Sequence, residues 1–196
     1  MPVLPLEPFV YPNDLFTPSV EQETASHQWW VLHTRQRAEK TLARHLWQHG
    51  IPFFLPLFQR ERPFRGRVVT SHLPLFPGYV FLLGDQQARL QALMTNTVVQ
   101  TLTVNDQREL HTDLSRVYSL MASGTGLAPE DRLQPGTWVQ ITQGPLAGLE
   151  GQILRRGKRL KFVIEVHFLQ RGASVEIDRW MIEPLDNQPA HPTDAY

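Results

Sequence analysis

The sequence changes character at Gly124. From Trp29 to that point, short aromatic and β-branched runs alternate with stretches whose apolar residues recur every three or four positions, whereas after Pro135 only short alternating runs remain. Between them lies GTGLAPEDRLQP, whose Gly, Pro and polar composition continues neither pattern. A chain of 196 residues broken in this way is expected to bury two small cores rather than one. The expected division is a mixed α+β domain over residues 27–123, a linker over 124–134 and an all-β domain over 135–185. Flanking them, residues 1–26, with five prolines and no apolar period, read as a disordered Pro-rich extension, and residues 186–196 as a disordered tail.

Within the first domain, WWVLHT is suited to a buried strand. A helix follows in which Thr34 is a candidate N-cap and Ala38, Leu42 and Leu46 form one stripe, with Gly50 and Pro52 ending it. FFLPLFQRERPFRGRVVTSHL reads as two extended arms around a polar reversal at Pro63 and Gly66. LFPGYVFLL is a strand entered through a Pro77-Gly78 turn. DQQARLQALM is expected to be a helix with Ala88, Leu90 and Leu93 inward, VVQTLTV a fifth strand, and LSRVYSLM a third helix. The order β-α-β-β-β-α-β-α gives an α/β sandwich with an antiparallel sheet and flanking helices. In the second domain TWVQIT, EGQILR, KFVIEVHF and SVEID are short strands joined by Gly-containing turns, as in a small barrel, with Val139, Ile141, Ile153, Val163 and Val166 inside.

The formal net charge of zero is a cancellation. Residues 27–125 carry eleven cationic side chains against six acids, a surplus of five, while the first 26 residues carry four acids and no Lys or Arg. All but Lys40, Lys158 and Lys161 of the 19 cations are Arg, which favours bidentate and stacking contacts. Arg60, Arg62, Arg65 and Arg67 cluster at the reversal. They read either as a solvated turn or as a contact to a nucleic-acid backbone.

The chain has no cysteine, which excludes disulfides, thiolate catalysis and Cys-ligated zinc. His45 and His49 are one helical turn apart but have no third ligand at a supporting spacing, so no metal is expected. Glu39 reads as an exposed ion-pair partner of Arg35 or Arg37. No nucleophile elbow or phosphate loop accompanies the Ser, His and Asp residues, so no catalytic residue and no cofactor are expected. With no run long enough to span a bilayer, the expected setting is the cytoplasm, without membrane contact and as a monomer.

Two stretches resemble a known family. PGTWVQITQGPLAGLEGQI resembles the KOW motif, with Gly144 and Pro145 at the tight reversal, Gly148 in a conformation closed to larger residues, and Gly151 where strands cross closely. The stretch beginning Trp29-Trp30, the helix containing Glu39 and the LFPGYVF strand resemble the amino-terminal domain of NusG-type transcription factors. The resemblance implies an SH3-like KOW barrel behind a polymerase-binding domain. It further implies elongation or antitermination activity through the clamp helices of the RNA polymerase largest subunit, held by an apolar depression around Phe76 and Tyr79. Leu32 and Phe81 are expected to line that depression, and His33 stands where an aromatic is common in the family.

The Arg hairpin would then lie near non-template DNA or nascent RNA. Phe168, with Leu169, either closes the barrel core or presents an apolar contact to Rho or a small-subunit ribosomal protein. The Pro-rich extension, the Arg-rich hairpin and Val98 in place of a common Gly resemble a specialised RfaH-like paralogue. The competing reading is a ribosome- or RNA-associated KOW module, against which a surplus of a single cation in residues 127–185 counts.

Overall fold

The computed structural model of the chain describes residues 8–17, 27–64, 66–124, 126–130, 137–156, 159–178 and 181–185. Its first unit is a five-stranded antiparallel sheet in the order β1-β3-β6-β2-β7. The strands are β1 (Val10–Tyr11), β2 (Gln28–Thr34), β3 (Phe53–Phe54), β6 (Tyr79–Gly84) and β7 (Val98–Leu102). Alternation along β2 and β6 gives this sheet two apolar faces. Leu32, Val80 and Leu82 lie in one buried cluster with Leu42, Ala43 and Leu46 of helix α1 (Glu39–Gln48) and Ala92 of α2 (Gln86–Met94). Trp29, Val31, Phe81 and Leu83 lie in the other, with Leu110, Leu114, Val117 and Leu120 of α3 (Gln107–Ala122).

The local chemistry explains the helix ends. Asp85 and Asp106 cap α2 and α3 by accepting the amides of Ala88 and Glu109, each at 2.8 Å. Helix α1 has no side-chain cap: Thr34 is buried as the last residue of β2, and Ala38 stands at the N-cap position. The helix stops where Gly50 takes φ 65 and the amides of Gly50 and Ile51 return to the carbonyls of Trp47 and Leu46, a Schellman closure. In α2 it is Ala92 that is buried, while Leu90 is about half exposed, so the expected inward set is corrected at that residue.

Strands β4 (Leu57–Phe64) and β5 (Arg67–Pro74) form a separate two-stranded ribbon. The second unit is a six-stranded antiparallel sheet, β13-β9-β10-β11-β12-β8. It uses β8 (Leu127–Glu130), β9 (Thr137–Ile141), β10 (Glu150–Arg156), β11 (Arg159–Val166), β12 (Arg171–Ile177) and β13 (Ile182–Pro184). Val139, Ile141, Val163 and Val166 are buried, and Ile153 is half-buried. A Cβ on Gly151 would stand 2.5 Å from the Val163 carbonyl oxygen on the neighbouring strand, so this crossing admits no side chain.

Two boundaries differ from the expectation. Residues 8–17 are not a free extension: β1 pairs with β3, and Leu15 is 2% exposed in the cluster that holds α3. Residues 127–130 are not a linker but the edge strand β8, paired to β12. Proline-rich composition conceals such short pairings, because two or three ladder bonds suffice where a neighbouring edge is open. The expected tail over 186–196 and the remainder of the extension lie outside the described residues.

Anchoring of the amino-terminal segment predicts that Leu15→Ala lowers stability by about 2–5 kcal/mol, as for other buried leucines. Chemical denaturation of the full chain measures it, and a free extension would give no change.

Candidate functional site

The turn that carries the LFPGY residues is held rigidly. The Tyr79 amide donates to the Phe76 carbonyl at 3.1 Å, with Pro77 and Gly78 between them and Gly78 at φ 87, the geometry of a type II turn. Gly78 is gripped from both sides: its amide donates to Oε1 of Glu39 at 2.8 Å, and its carbonyl accepts the Thr34 amide at 2.8 Å. Glu39 is therefore no exposed ion-pair partner but a buried carboxylate, 6% exposed, in the first turn of α1, where the helix dipole favours its charge.

Around this turn the proposed apolar depression is distributed otherwise than expected. Leu32 is fully buried on the α1 and α2 face of the sheet, because it alternates with Val31 and His33 along β2. Phe81 and Phe76 are buried in the opposite face, ring to ring at 6.1 Å and nearly perpendicular. These three side chains are core. His33 and Tyr79, paired across β2 and β6, are the half-buried members, with ring centroids 5.3 Å apart. A concavity of about 420 Å³ opens beside His33, lined also by Gln36, Arg37, Pro77 and Gly78 among others.

The second unit lies over the same face. The cluster that contains Phe76, Phe81 and the apolar stripe of α3 continues without interruption into Val139, Ile141, Phe162, Ile164 and Val175 of the six-stranded sheet. The Arg171 guanidinium stands 5.6 Å from the centre of the Tyr79 ring, a cation over an aromatic face. Phe168 and Leu169, in a short 3-10 turn after β11, are half-buried against that shared cluster rather than forming a free contact surface.

A polar clasp closes the junction. One carboxylate oxygen of Asp113, on α3, accepts both the His167 backbone amide and a hydrogen bond from its Nδ1, each at 3.0 Å. Asp113 is 2% exposed, and Arg116 approaches its other oxygen at 4.0 Å. Glu109 lies 3.9 Å from the same imidazole nitrogen. The hydrogen bond to Asp113 holds His167 above the ordinary imidazole range, against partial burial and with help from the charges of Asp113, Glu165 and Glu109.

The Arg hairpin stands apart from this junction. Arg60, Arg62 and Arg67 are exposed on the ribbon, and Arg65 lies outside the described residues. In the KOW-like segment Gly144 and Gly148 take φ 88 and 91 around Pro145, and the Gly148 amide closes the loop onto the Ile141 carbonyl at 2.7 Å. His45 and His49 stack at 4.1 Å, and among the described residues no group of three or more His, Asp or Glu could hold a metal. Also among the described residues, no helix is long and apolar enough to cross a membrane. Asp113, His167 and Arg171 were not singled out from sequence, since nothing local marks residues whose partners are distant along the chain, 54 positions in the case of Asp113 and His167.

Against known proteins, the family model described as transcription termination factor nusG matches residues 27–117. No curated protein matches the chain. Among solved structures, one titled as the domain interaction in Thermotoga maritima NusG is similar at 17% identity and a TM-score of 0.47, over 82% of this chain and 98% of that one. A chain of the MjSpt4:Spt5 complex is similar at 12% identity and a TM-score of 0.24, over 83% and 99%.

The clasp has a pH signature. Closure raises the His167 pKa, so its contribution is complete below the ordinary imidazole value and is lost as pH rises through the raised value. Labels on α2 and β10 should therefore separate with rising pH in that window. Asp113→Ala should remove about 1.5–3 kcal/mol of closure and diminish the pH response, since Glu165 and Glu109 remain near His167. An unchanged separation across pH would contradict the clasp.

Proposed function

We propose, on the premise that the chain belongs to the NusG family through residues 27–117, that it is a non-catalytic transcription elongation or antitermination factor that docks on the clamp helices of RNA polymerase. The observation that carries this reading is the rigid LFPGY turn, whose Pro77 and Gly78 line an open concavity with His33, the ring partner of Tyr79. A helical hairpin needs such a surface: a few aromatic anchors on a backbone that does not yield.

The arrangement described above is then a closed form. Arg171 covers one face of Tyr79, and that ring packs on the cluster shared with the second unit instead of on a partner. Docking requires the clasp to open, which brings Tyr79 out together with whatever apolar surface the second unit covers. The released second unit presents Phe168 and Leu169, the surface suited to a small-subunit ribosomal protein or Rho. Contact between the Arg hairpin and non-template DNA or nascent RNA accompanies polymerase docking.

Binding of the full chain to purified polymerase tests the reading. Tyr79→Ala should weaken it about 30-fold, the effect of losing about 2 kcal/mol at an anchor. Asp113→Ala should strengthen it, because less closure energy is then spent on opening. An Asp113→Ala protein shown to be open yet no better at binding polymerase would overturn the proposal.

A further inference from the structure

The ribbon meets the rest of the molecule at a cavity. At its root a space of about 480 Å³ is lined by Phe58 of β4, Leu73 and Pro74 of β5, Pro77 of the turn and Pro129 of β8. None of these side chains offers a hydrogen bond, so water against them loses partners and apolar matter gains by replacing it. The volume is that of sites which enclose a small organic molecule. Phe58 packs on the shared cluster, Leu73, Pro74 and Pro129 are half-buried, and β8 is paired to β12, so the walls draw on both units.

Cations are set into these apolar walls. Arg37 and Lys40, around the start of α1, line the cavity together with Arg60 of β4 and the imidazole of His72. Neither Arg37, Lys40 nor Arg60 has an ion-pair partner among the described residues. The one carboxylate of the lining, Glu39, is 6% exposed, and its Oε1 already accepts the Gly78 amide at 2.8 Å. Arg37 holds φ 61, where glycine is at ease and a larger residue is not, so what this position retains is its side chain. Arginine and lysine heads only donate hydrogen bonds. Donors and positive charge are therefore in excess, in a space that is otherwise apolar.

These features limit the occupant. It carries negative charge, because the uncompensated cations attract nothing else. Its polar end accepts hydrogen bonds without donating them, since the hydroxyls of a sugar, the edge of a base or an ammonium group would meet mostly other donors. Its body is hydrocarbon. From this conjunction of apolar walls with unpaired cations we propose that the cavity binds an amphipathic carboxylate, a hydrocarbon chain bearing one acid group. The carboxylate pairs with Arg37, Lys40 and Arg60, whose guanidinium groups match it fork to fork, and the chain lies against Phe58, Leu73 and Pro129. The inference adds a small-molecule ligand to the proposed function and rests on no part of it.

Isothermal titration calorimetry of the full chain with decanoate, below the concentration at which it forms micelles, is the test. Decanoate should bind at one site per chain with a negative heat-capacity change, and should raise the melting midpoint of the parent protein. Octanoate and hexanoate should bind more weakly, by about fourfold for each methylene removed. Decylamine, with the same chain and a cationic head, and AMP, an anion with a sugar and a base, should each bind at least about tenfold more weakly than decanoate. Arg60→Gln and Lys40→Gln should each weaken decanoate about tenfold, through loss of a charge-assisted bond. Arg62→Gln, on the same strand but outside the lining, should bind decanoate as the parent does. Arg60 is exposed, so the unliganded Arg60→Gln protein should melt with the parent and keep the test valid even where Lys40→Gln loses stability. Absence of saturable binding, equal affinity for decylamine or AMP, an affinity independent of chain length, or unaltered binding in Arg60→Gln would overturn the proposal.

Discussion

Helix α3 lies between two sheets, and its apolar stripe belongs to both. Leu110, Leu114, Val117 and Leu120 are buried in a cluster that begins at β2 and β6 and ends in β9, β11 and β12. A helix so placed has no apolar surface to spare, and its one buried charge, Asp113, faces the second unit. A buried carboxylate without partners costs several kcal/mol, whereas one that accepts two hydrogen bonds from His167 is tolerated. Where His167 goes therefore decides whether Asp113 is satisfied, which ties the orientation of the second unit to a single pair of side chains.

This arrangement changes what the aromatic residues of the first domain do. Phe76 and Phe81 are part of the shared cluster, so their burial supports both the sheet and the junction. Tyr79 lies at the edge, where its ring meets His33 on one side and the Arg171 guanidinium on the other. An exposed cation–π contact is worth about 0.5–1 kcal/mol, enough to bias a position and too little to lock it. The stronger hold is the clasp, in which the hydrogen bond to Asp113 raises the His167 pKa.

Elements with a local signal were legible in the sequence. The hairpin was marked by Pro63 and Gly66, α1 by its four-residue stripe and Gly50, and β6 by its turn, because each depends on residues within a few positions. What was hidden depends on distant partners. Strand β1 is two residues in a Pro-rich stretch, and β8 contains Pro129 within a linker composition, so both exist only because an open sheet edge accepts them. Leu32 and Phe81 carried the right chemistry for a binding surface, but alternation along β2 and β6 turns them into opposite cores. The Phe58-Arg60-Arg62-Phe64 alternation was present in the sequence as a period-two pattern. Its arginines read locally as a charge cluster, and only the pairing register places all four residues on one face.

Strand β8 links the two regions of interest. It pairs with β12 through Pro129 opposite Ala173, two residues beyond the Arg171 that stands over Tyr79. The same Pro129 lines the cavity at the hairpin root, together with Phe58 and Leu73 of the ribbon and Pro77 of the turn.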